Sequence, residues 1–186
     1  MNAFAKVDVE TFFRFAAEHP EQRFELERGV IVQQMTGGTR RHSNLARRIA
    51  NLIENQIDPK IWTVVVERGV AAGASGRFAD VVVEPASEPE DSLKTPNPAV
   101  IVEVLSPSTS AIDLNAKVAE YLELTALDVY IVASQAEPAM RVWQRGLDGK
   151  FSAEPVEYDG IGKTLTIDGR HFQVSLPFSE IYRGIV

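Results

Sequence analysis

The sequence predicts a mixed α/β fold, with one central sheet and helices packed against it, in a single domain over residues 1–186. Two apolar strand-like runs, at residues 99–105 and 128–133, enclose a helical pattern at residues 113–124, and this order is typical of a parallel β-α-β unit. Alternating strand patterns precede and follow the unit. A chain of 186 residues with 45% hydrophobic and 24% charged residues has the size and composition of one globular domain.

The first third of the chain predicts a helix and then a hairpin. Asp8 is a suitable N-cap for a helix that ends before Pro20, because the residue before a proline is disfavoured in a helix. Arg28 and Gly29 separate two short β-like runs and therefore predict the turn of a β-hairpin.

A second amphipathic helix begins at Thr39 or Ser43, since either side chain can serve as its N-cap, and ends at Asp58 before Pro59. The rest of the chain is mostly β-like, apart from the helix of the β-α-β unit and a proline-rich acidic loop at residues 85–98. The remaining predicted strands are residues 62–70 and 78–84, followed near the end of the chain by short strands around residues 141–143, 151–158 and 163–167.

Charge is distributed unevenly along the chain. The formal net charge is −7, which disfavours a protein that coats nucleic acid without selectivity, but residues 28–53 contain five arginines, one histidine and no acidic residue. This stretch is either a phosphate-binding face or a solvated helix face, and both interpretations remain open. The absence of cysteine excludes disulfides, cysteine-ligated zinc and thiol nucleophiles. Without a recognisable signal sequence or an apolar run that could span a bilayer, we expect a soluble, cytoplasmic protein.

Two carboxylates lie within apolar strand patterns, Asp80 in one and Glu103 in the next. A buried carboxylate must be paired, protonated or bound to a cation, because an isolated buried charge is strongly destabilising. Oxygen donors that converge from neighbouring strands suit Mg²⁺ or Mn²⁺. Structural ion pairs, for example with Arg77 or Arg68, are the alternative, and the sequence leaves both open.

Lys117 lies in the predicted helix at residues 113–124, which follows the strand of Glu103 after a short turn. Because Asp113 precedes Lys117 by four residues, one interpretation is a surface ion pair worth a few tenths of a kcal/mol. The other is that the ammonium group faces a water molecule or a phosphate oxygen at the acidic site. The residue types alone do not choose between them.

Several short motifs occur in a characteristic order. They are Phe24-Glu-Leu-Glu-Arg-Gly-Val30, His42 near a helix start, Ala79-Asp80-Val-Val-Val83, Val102-Glu-Val-Leu-Ser-Pro-Ser-Thr109 and Asp113-x3-Lys117-x3-Tyr121. From about Phe12 to Val142, the chain resembles the Uma2 family of bacterial restriction endonucleases, which belongs to the PD-(D/E)XK nuclease superfamily. The motif at residues 102–109, with its downstream aspartate and lysine, is the most specific part of this resemblance.

The resemblance implies a restriction-endonuclease-like α/β core, a divalent metal and the hydrolysis of DNA phosphodiester bonds. Asp80 and Glu103 match the acidic pair that holds Mg²⁺ or Mn²⁺, with the Val104 carbonyl as a further possible ligand. Lys117 matches a helix-borne lysine that orients water or neutralises developing charge. Glu25 matches an early glutamate that binds a second metal or orients the lysine.

Three positions depart from the expected pattern. Leu105 stands where the superfamily has an in-strand lysine, Ala79 replaces the usual proline before the aspartate, and Val30 replaces a common glutamate. Because Leu105 cannot act as the lysine, any catalysis depends on Lys117.

DNA is the partner that the resemblance implies, and a homodimer suits cleavage of both strands. The rival function is a catalytically inactive nuclease fold that binds DNA or protein, which the acidic net charge and the missing in-strand lysine favour. The residues expected to contact nucleic acid are Arg40, Arg41, His42, Arg47 and Arg48.

Overall fold

The computed structural model describes residues 6–34, 38–105, 111–170 and 172–185, and the side chains of residues 111–113 are outside that description. The predicted turn at residues 106–110 and the side chain of Asp113 therefore lie outside the described residues. None of the helices in the described ranges is long and apolar enough to cross a membrane. These helices are α1 (Val9–Glu18), α2 (Arg40–Glu54), α3 (Ala111–Leu122) and α4 (Phe178–Ile181).

The strands of the described residues form one large mixed sheet and one separate hairpin. The large sheet runs in the order β2-β1-β4-β6-β7-β8-β9, and β3 pairs with both β4 and β5. Its strands are β1 (Arg23–Glu27), β2 (Val30–Gln34), β3 (Trp62–Ala72), β4 (Ser75–Pro85), β5 (Lys94–Thr95), β6 (Val100–Leu105), β7 (Val129–Ser134), β8 (Ala139–Gln144) and β9 (Val156–Asp159). The hairpin consists of β10 (Thr164–Asp168) and β11 (Gln173–Pro177).

Local signals located the early elements well. The Asp8 carboxylate accepts a hydrogen bond from the Thr11 amide at 2.8 Å, so the predicted cap of α1 is confirmed. Thr39, rather than Ser43, caps α2. That helix ends at Glu54, four residues earlier than predicted. The predicted hairpin turn is confirmed, with φ of 49° at Arg28 and 89° at the following glycine, as a tight two-residue turn requires.

The predicted β-α-β unit is also confirmed, because β6 and β7 pair in parallel with α3 between them. Helix α3 covers one face of the sheet, where Tyr121 packs with Ile101 and Tyr130. Helix α2 covers the other face through Leu45 and Ile49. The β10–β11 hairpin and α4 join this second face. Only the first strand of that hairpin had been predicted, so the prediction missed part of this layer.

Helix α1 packs on the β3–β4 hairpin because two glycines on adjacent strands leave room for its rings. A Cβ atom at Gly69 would lie 2.6 Å from the Phe13 ring, and one at Gly76 would lie 2.7 Å from the Phe12 ring. Both phenylalanines are buried against Leu26 of β1. This contact holds β1, and with it Glu25, at a defined place beside β4.

Candidate active site

The site lies where β4 separates from β6. The two strands pair in antiparallel fashion up to Val81 and Val102, beyond which β4 turns towards β1. Asp80 and Glu103 are the next residues on each strand, and so they stand at the opening of this fork. The Asp80 Oδ2 atom accepts a hydrogen bond from the Val104 amide at 2.7 Å, which satisfies a donor that the strand ladder leaves unpaired.

The backbone opposite Asp80 is distorted. The β3–β4 ladder runs in register on both sides but omits the pair of Glu67 and Asp80, and Glu67 has a φ of 50°. This left-handed conformation is uncommon for a residue with a Cβ atom. The alternation of β4 breaks here as well, since Ala79 and Val82 contact the same core cluster. The distortion therefore turns the strand at the residue that carries the site's aspartate.

Glu103 is buried on the α3 face of the sheet. Its Oε1 atom accepts a hydrogen bond from the Tyr121 hydroxyl at 3.1 Å and lies 3.7 Å from Lys117 Nζ. Burial raises the pKa of Glu103 to about 7, and the charges of Asp80 and Glu25 act in the same direction. Lys117 and the tyrosine hydrogen bond lower the pKa, but they do not outweigh burial. The positive charge near Glu103 is therefore too small to compensate for burying its carboxylate form.

Lys117 points into the site and not towards solvent. Its side chain is 12% exposed, and Nζ lies 3.1 Å from Glu25 Oε1. The ammonium group therefore lies between Glu25 and Glu103, which come from β1 and β6. This placement favours the second interpretation of Lys117, in which it faces the acidic site.

Arg77 occupies the same side of the sheet with 1% of its side chain exposed. Its guanidinium contacts three carboxylates at 2.5, 3.4 and 3.0 Å, belonging to Glu25, Glu27 and Glu120. Burial lowers the pKa of Arg77, but the hydrogen bond with Glu120 and the charge of Glu25 outweigh it and raise the pKa. Arg68 instead pairs with Glu84 at 3.0 Å. Within the described residues, neither of these two example partners pairs with Asp80 or Glu103, whose ion-pair contacts are instead with His42 at 3.2 Å and with Lys117 at 3.7 Å.

The donor set fits a divalent cation. Asp80 and Glu103 each use one oxygen in the contacts above, and neither Asp80 Oδ1 nor Glu103 Oε2 accepts a hydrogen bond from the described residues. Among the described residues, no three His, Asp or Glu side chains are grouped so that they could bind a metal ion together. Mg²⁺ is compatible with this arrangement, because it is usually held by one or two carboxylates and keeps several water molecules.

The charge balance around the fork also favours a cation. Lys117, Arg77 and, when protonated, His42 are the cationic side chains that contact this carboxylate cluster in the described part of the chain. They face four largely buried carboxylates, which are those of Glu25, Asp80, Glu103 and Glu120. Because Lewis-acidic cations offset such an excess of negative charge, the residues present fit a metal ion.

His42 lies at the acidic fork, apart from the arginines near it in sequence. Its Nε2 atom is 3.2 Å from Asp80 Oδ2, and the two side chains are 16% and 13% exposed. The hydrogen bond to Asp80 raises the pKa of His42, in opposition to burial. Asp80 Oδ2 is therefore held from two sides, by this imidazole and by the Val104 amide.

The four arginines expected to contact nucleic acid divide into two pairs. Arg41 donates to the Gln135 carbonyl at 3.4 Å, and Arg48 donates to the carbonyls of Ile181 and Arg183 at 2.8 and 2.7 Å. Arg48 thus connects α2 to the end of the chain. The other pair, Arg40 and Arg47, has no described hydrogen bond to a backbone carbonyl; both are exposed, as Arg41 is, whereas Arg48 is half-buried.

Sequence reasoning assigned no site role to Arg77, Glu120 or Tyr121. The spacing of Lys117 and Tyr121 contained a signal, because residues four apart share a helix face. For Arg77 the signal was weak, a charged residue directly before the predicted strand at residues 78–84 and three positions before Asp80. The partners of Arg77 in β1 and α3 are distant in sequence, so spacing could not identify them.

Comparisons with known proteins agree with this architecture. A solved structure of a putative nuclease belonging to DUF820 from Anabaena variabilis superposes with a TM-score of 0.69 at 17% identity, covering 89% of this chain and 93% of that chain. An uncharacterized protein from Synechocystis, slr1290, is 25% identical over 194 residues, which cover 98% of this chain and 94% of that protein. The first similarity confirms the predicted fold class. The model of the Uma2 family, described as putative restriction endonucleases, matches residues 9–178, and the chain belongs to this family.

Proposed function

We propose that this protein is a metal-dependent endonuclease that hydrolyses phosphodiester bonds in DNA. The observation that carries the proposal is the fork between β4 and β6, where Asp80 and Glu103 each present an oxygen without a hydrogen bond from the described residues. Lys117 Nζ lies 3.7 Å from the other oxygen of Glu103, Oε1. Membership of the Uma2 family supports a nuclease in general terms. The metal, the DNA substrate and the roles of individual residues belong to the proposal.

Asp80 and Glu103 would hold Mg²⁺ or Mn²⁺ through these oxygens. A bound divalent cation supplies Lewis acidity, which favours deprotonation of water and offsets charge on a phosphate. Asp80 is kept in place by His42 and by the Val104 amide. Residues 1–186 would form the single catalytic domain.

Lys117 supplies the second charge at the reacting phosphate. Its ammonium group, paired with Glu25 and close to Glu103, can donate hydrogen bonds to the attacking water or to a phosphate oxygen. Lysine acts here as a compact charge with three donors, so it can contact a carboxylate and the substrate together. Glu25 orients Lys117 in this scheme, in agreement with their 3.1 Å separation.

Affinity for DNA would come from the exposed surface of α2. Arg40 and Arg47 are exposed and can contact phosphates, and Arg41 keeps further N–H donors beside its contact with the Gln135 carbonyl. Arg48 and His42 contribute indirectly, the first through the fold and the second through Asp80. A homodimer would place two sites on the two strands of a duplex.

A nicking assay with Mn²⁺ on mixed DNA substrates tests the proposal. We expect the wild-type protein to cleave, and we expect Glu103→Ala and a chelator to abolish cleavage. Glu157→Gln is the matched control, because this glutamate is 71% exposed and distant from the fork in the strand order. Equal cleavage by wild type and Glu103→Ala would assign the activity to a contaminant and remove Glu103 from the mechanism.

The rival function is an inactive nuclease fold that binds DNA or another protein. Leu105 at the place of the in-strand lysine is the observation in its favour. Thermal unfolding with and without Mn²⁺ separates the two, because only an intact site gains stability from the metal by mass action. A protein that neither cleaves DNA nor gains stability with Mn²⁺ would support the binding module.

A further inference from the structure

Arg77 is a charged side chain placed in the interior of the protein. Among the described residues, Arg77 has the largest side chain that is fully buried. It lies on β4, three positions before Asp80. Removing an arginine from water is costly, and only good hydrogen bonding to opposite charges offsets the loss. Arg77 meets this condition through carboxylates on both of its neighbours, β1 and α3.

The contact with β1 leads directly to Lys117. Glu25 uses Oε2 to bind Arg77 and Oε1 to bind Lys117 Nζ at 3.1 Å. Gln34 donates a further hydrogen bond to Oε2 at 3.3 Å. Because Arg77 and Gln34 both hold Oε2, the carboxylate of Glu25 has a defined orientation. Its other oxygen, Oε1, then fixes the position of the Lys117 ammonium group.

The contact with α3 leads to the same lysine by another route. Arg77 Nε donates to Glu120 Oε2 at 3.0 Å, and the Ser75 hydroxyl donates to the other oxygen of Glu120 at 2.8 Å. Glu120 is three residues after Lys117, within one turn of the helix. The pair of contacts therefore connects the turn of α3 that carries Lys117 to β4.

We propose that Arg77 is a positioning residue that holds the helix-borne Lys117 beside Glu103. The proposal rests on the nuclease function proposed above, in which Lys117 supplies the charge at the phosphate. A lysine carries its ammonium group on a flexible four-carbon chain, so the position of that group must be fixed by contacts. Arg77 supplies two such contacts, one through Glu25 and one through Glu120.

The first experiment replaces Arg77 by lysine, which keeps the charge but cannot donate to two carboxylates with one planar group. The direct readout is the side-chain ¹⁵Nζ signal of Lys117, assigned by its loss in Lys117→Arg, because an ammonium group gives a sharp signal only while its protons exchange slowly. We expect Arg77→Lys to broaden or remove this signal. We also expect kcat of DNA nicking to fall about tenfold or more, while KM for DNA and the affinity for Mn²⁺ stay within twofold.

Two further variants keep the test decisive if Arg77→Lys does not fold. Glu120→Gln weakens only the route through α3, whereas Glu27→Gln is the matched control, since Glu27 contacts Arg77 at 3.4 Å but has no described contact with Lys117 or α3. We expect Glu120→Gln to broaden the Lys117 signal and lower kcat, and Glu27→Gln to leave both as in the wild type. A purely structural role of Arg77 would lower the stability of both variants without changing the signal.

The inference and the proposed function fail in different ways. An unchanged Lys117 signal in folded Arg77→Lys, or in Glu120→Gln, would overturn the positioning role, whatever the activity. A wild-type protein that neither nicks DNA nor gains stability with Mn²⁺ would overturn the proposed function, and the Lys117 signal would still decide whether Arg77 positions the lysine.

Discussion

Replacing Glu103 by glutamine is expected to make the metal-free protein more stable at pH 8. Burial raises the pKa of Glu103 from the ordinary value of 4.5 to about 7. A carboxyl whose pKa is raised in the folded state carries no penalty below pH 4.5, and the full penalty once the pH exceeds 7. At 1.36 kcal/mol for each pKa unit, the ionised carboxylate costs on the order of 3 kcal/mol at pH 8. The amide has no charge to bury and keeps an acceptor for the Tyr121 hydroxyl.

Urea unfolding in the presence of a chelator, at pH 4.5 and at pH 8, measures the effect. We expect Glu103→Gln to exceed the wild type by about 3 kcal/mol at pH 8, because the pKa of about 7 already includes the attraction to Lys117. At pH 4.5 we expect the two proteins to be nearly equal in stability. The wild type should lose stability as the pH rises from 4.5 to 7, and the variant should lack this loss.

The same substitution at Glu84 provides a matched control of opposite sign. Glu84 is 3% exposed and pairs with Arg68 at 3.0 Å, so that the glutamine leaves a buried arginine without its charge partner. We expect Glu84→Gln to cost about 3 kcal/mol at pH 8. If Glu103→Gln instead destabilised the protein at pH 8, as Glu84→Gln is expected to do, the argument that burial dominates at Glu103 would be refuted.

Three further predictions concern the metal, a turn and the surface of α2. Mn²⁺ at a hundred times its Kd should raise the free energy of unfolding by about 2.7 kcal/mol, and Asp80→Asn should remove this gain in a thermal-shift titration. Arg28→Asn should stabilise the protein by about 0.5 kcal/mol in urea, because asparagine tolerates the left-handed φ of 49°; a lower midpoint would contradict this. Arg47→Ala should reduce the salt slope of DNA binding by about one, whereas Arg48→Ala should mainly lower thermal stability, because Arg48 donates to two backbone carbonyls.

Local sequence patterns were sufficient for the elements that local interactions form. The cap at Asp8, the hairpin turn at Arg28 and the strand around Glu103 were all predicted, since a capping side chain, a turn and a short continuous apolar run are each read within a few residues. The parallel pairing of β6 and β7 followed from the short helix between them. The β11 strand was missed although Val174 and Leu176 alternate with polar residues, which is a local strand signal.

The sequence by itself determined that Asp80 and Glu103 are carboxylates within apolar strands, and that such groups need a proton, a partner or a cation. Only the tertiary structure decided that Lys117 meets both Glu25 and Glu103, and that Arg77 joins β1 to α3. These contacts connect residues up to 92 positions apart, as between Lys117 and Glu25. Their physical cause is the packing of α1 and α3 on the sheet together with the separation of β4 from β6, and none of these is encoded in the spacing of residues along one element.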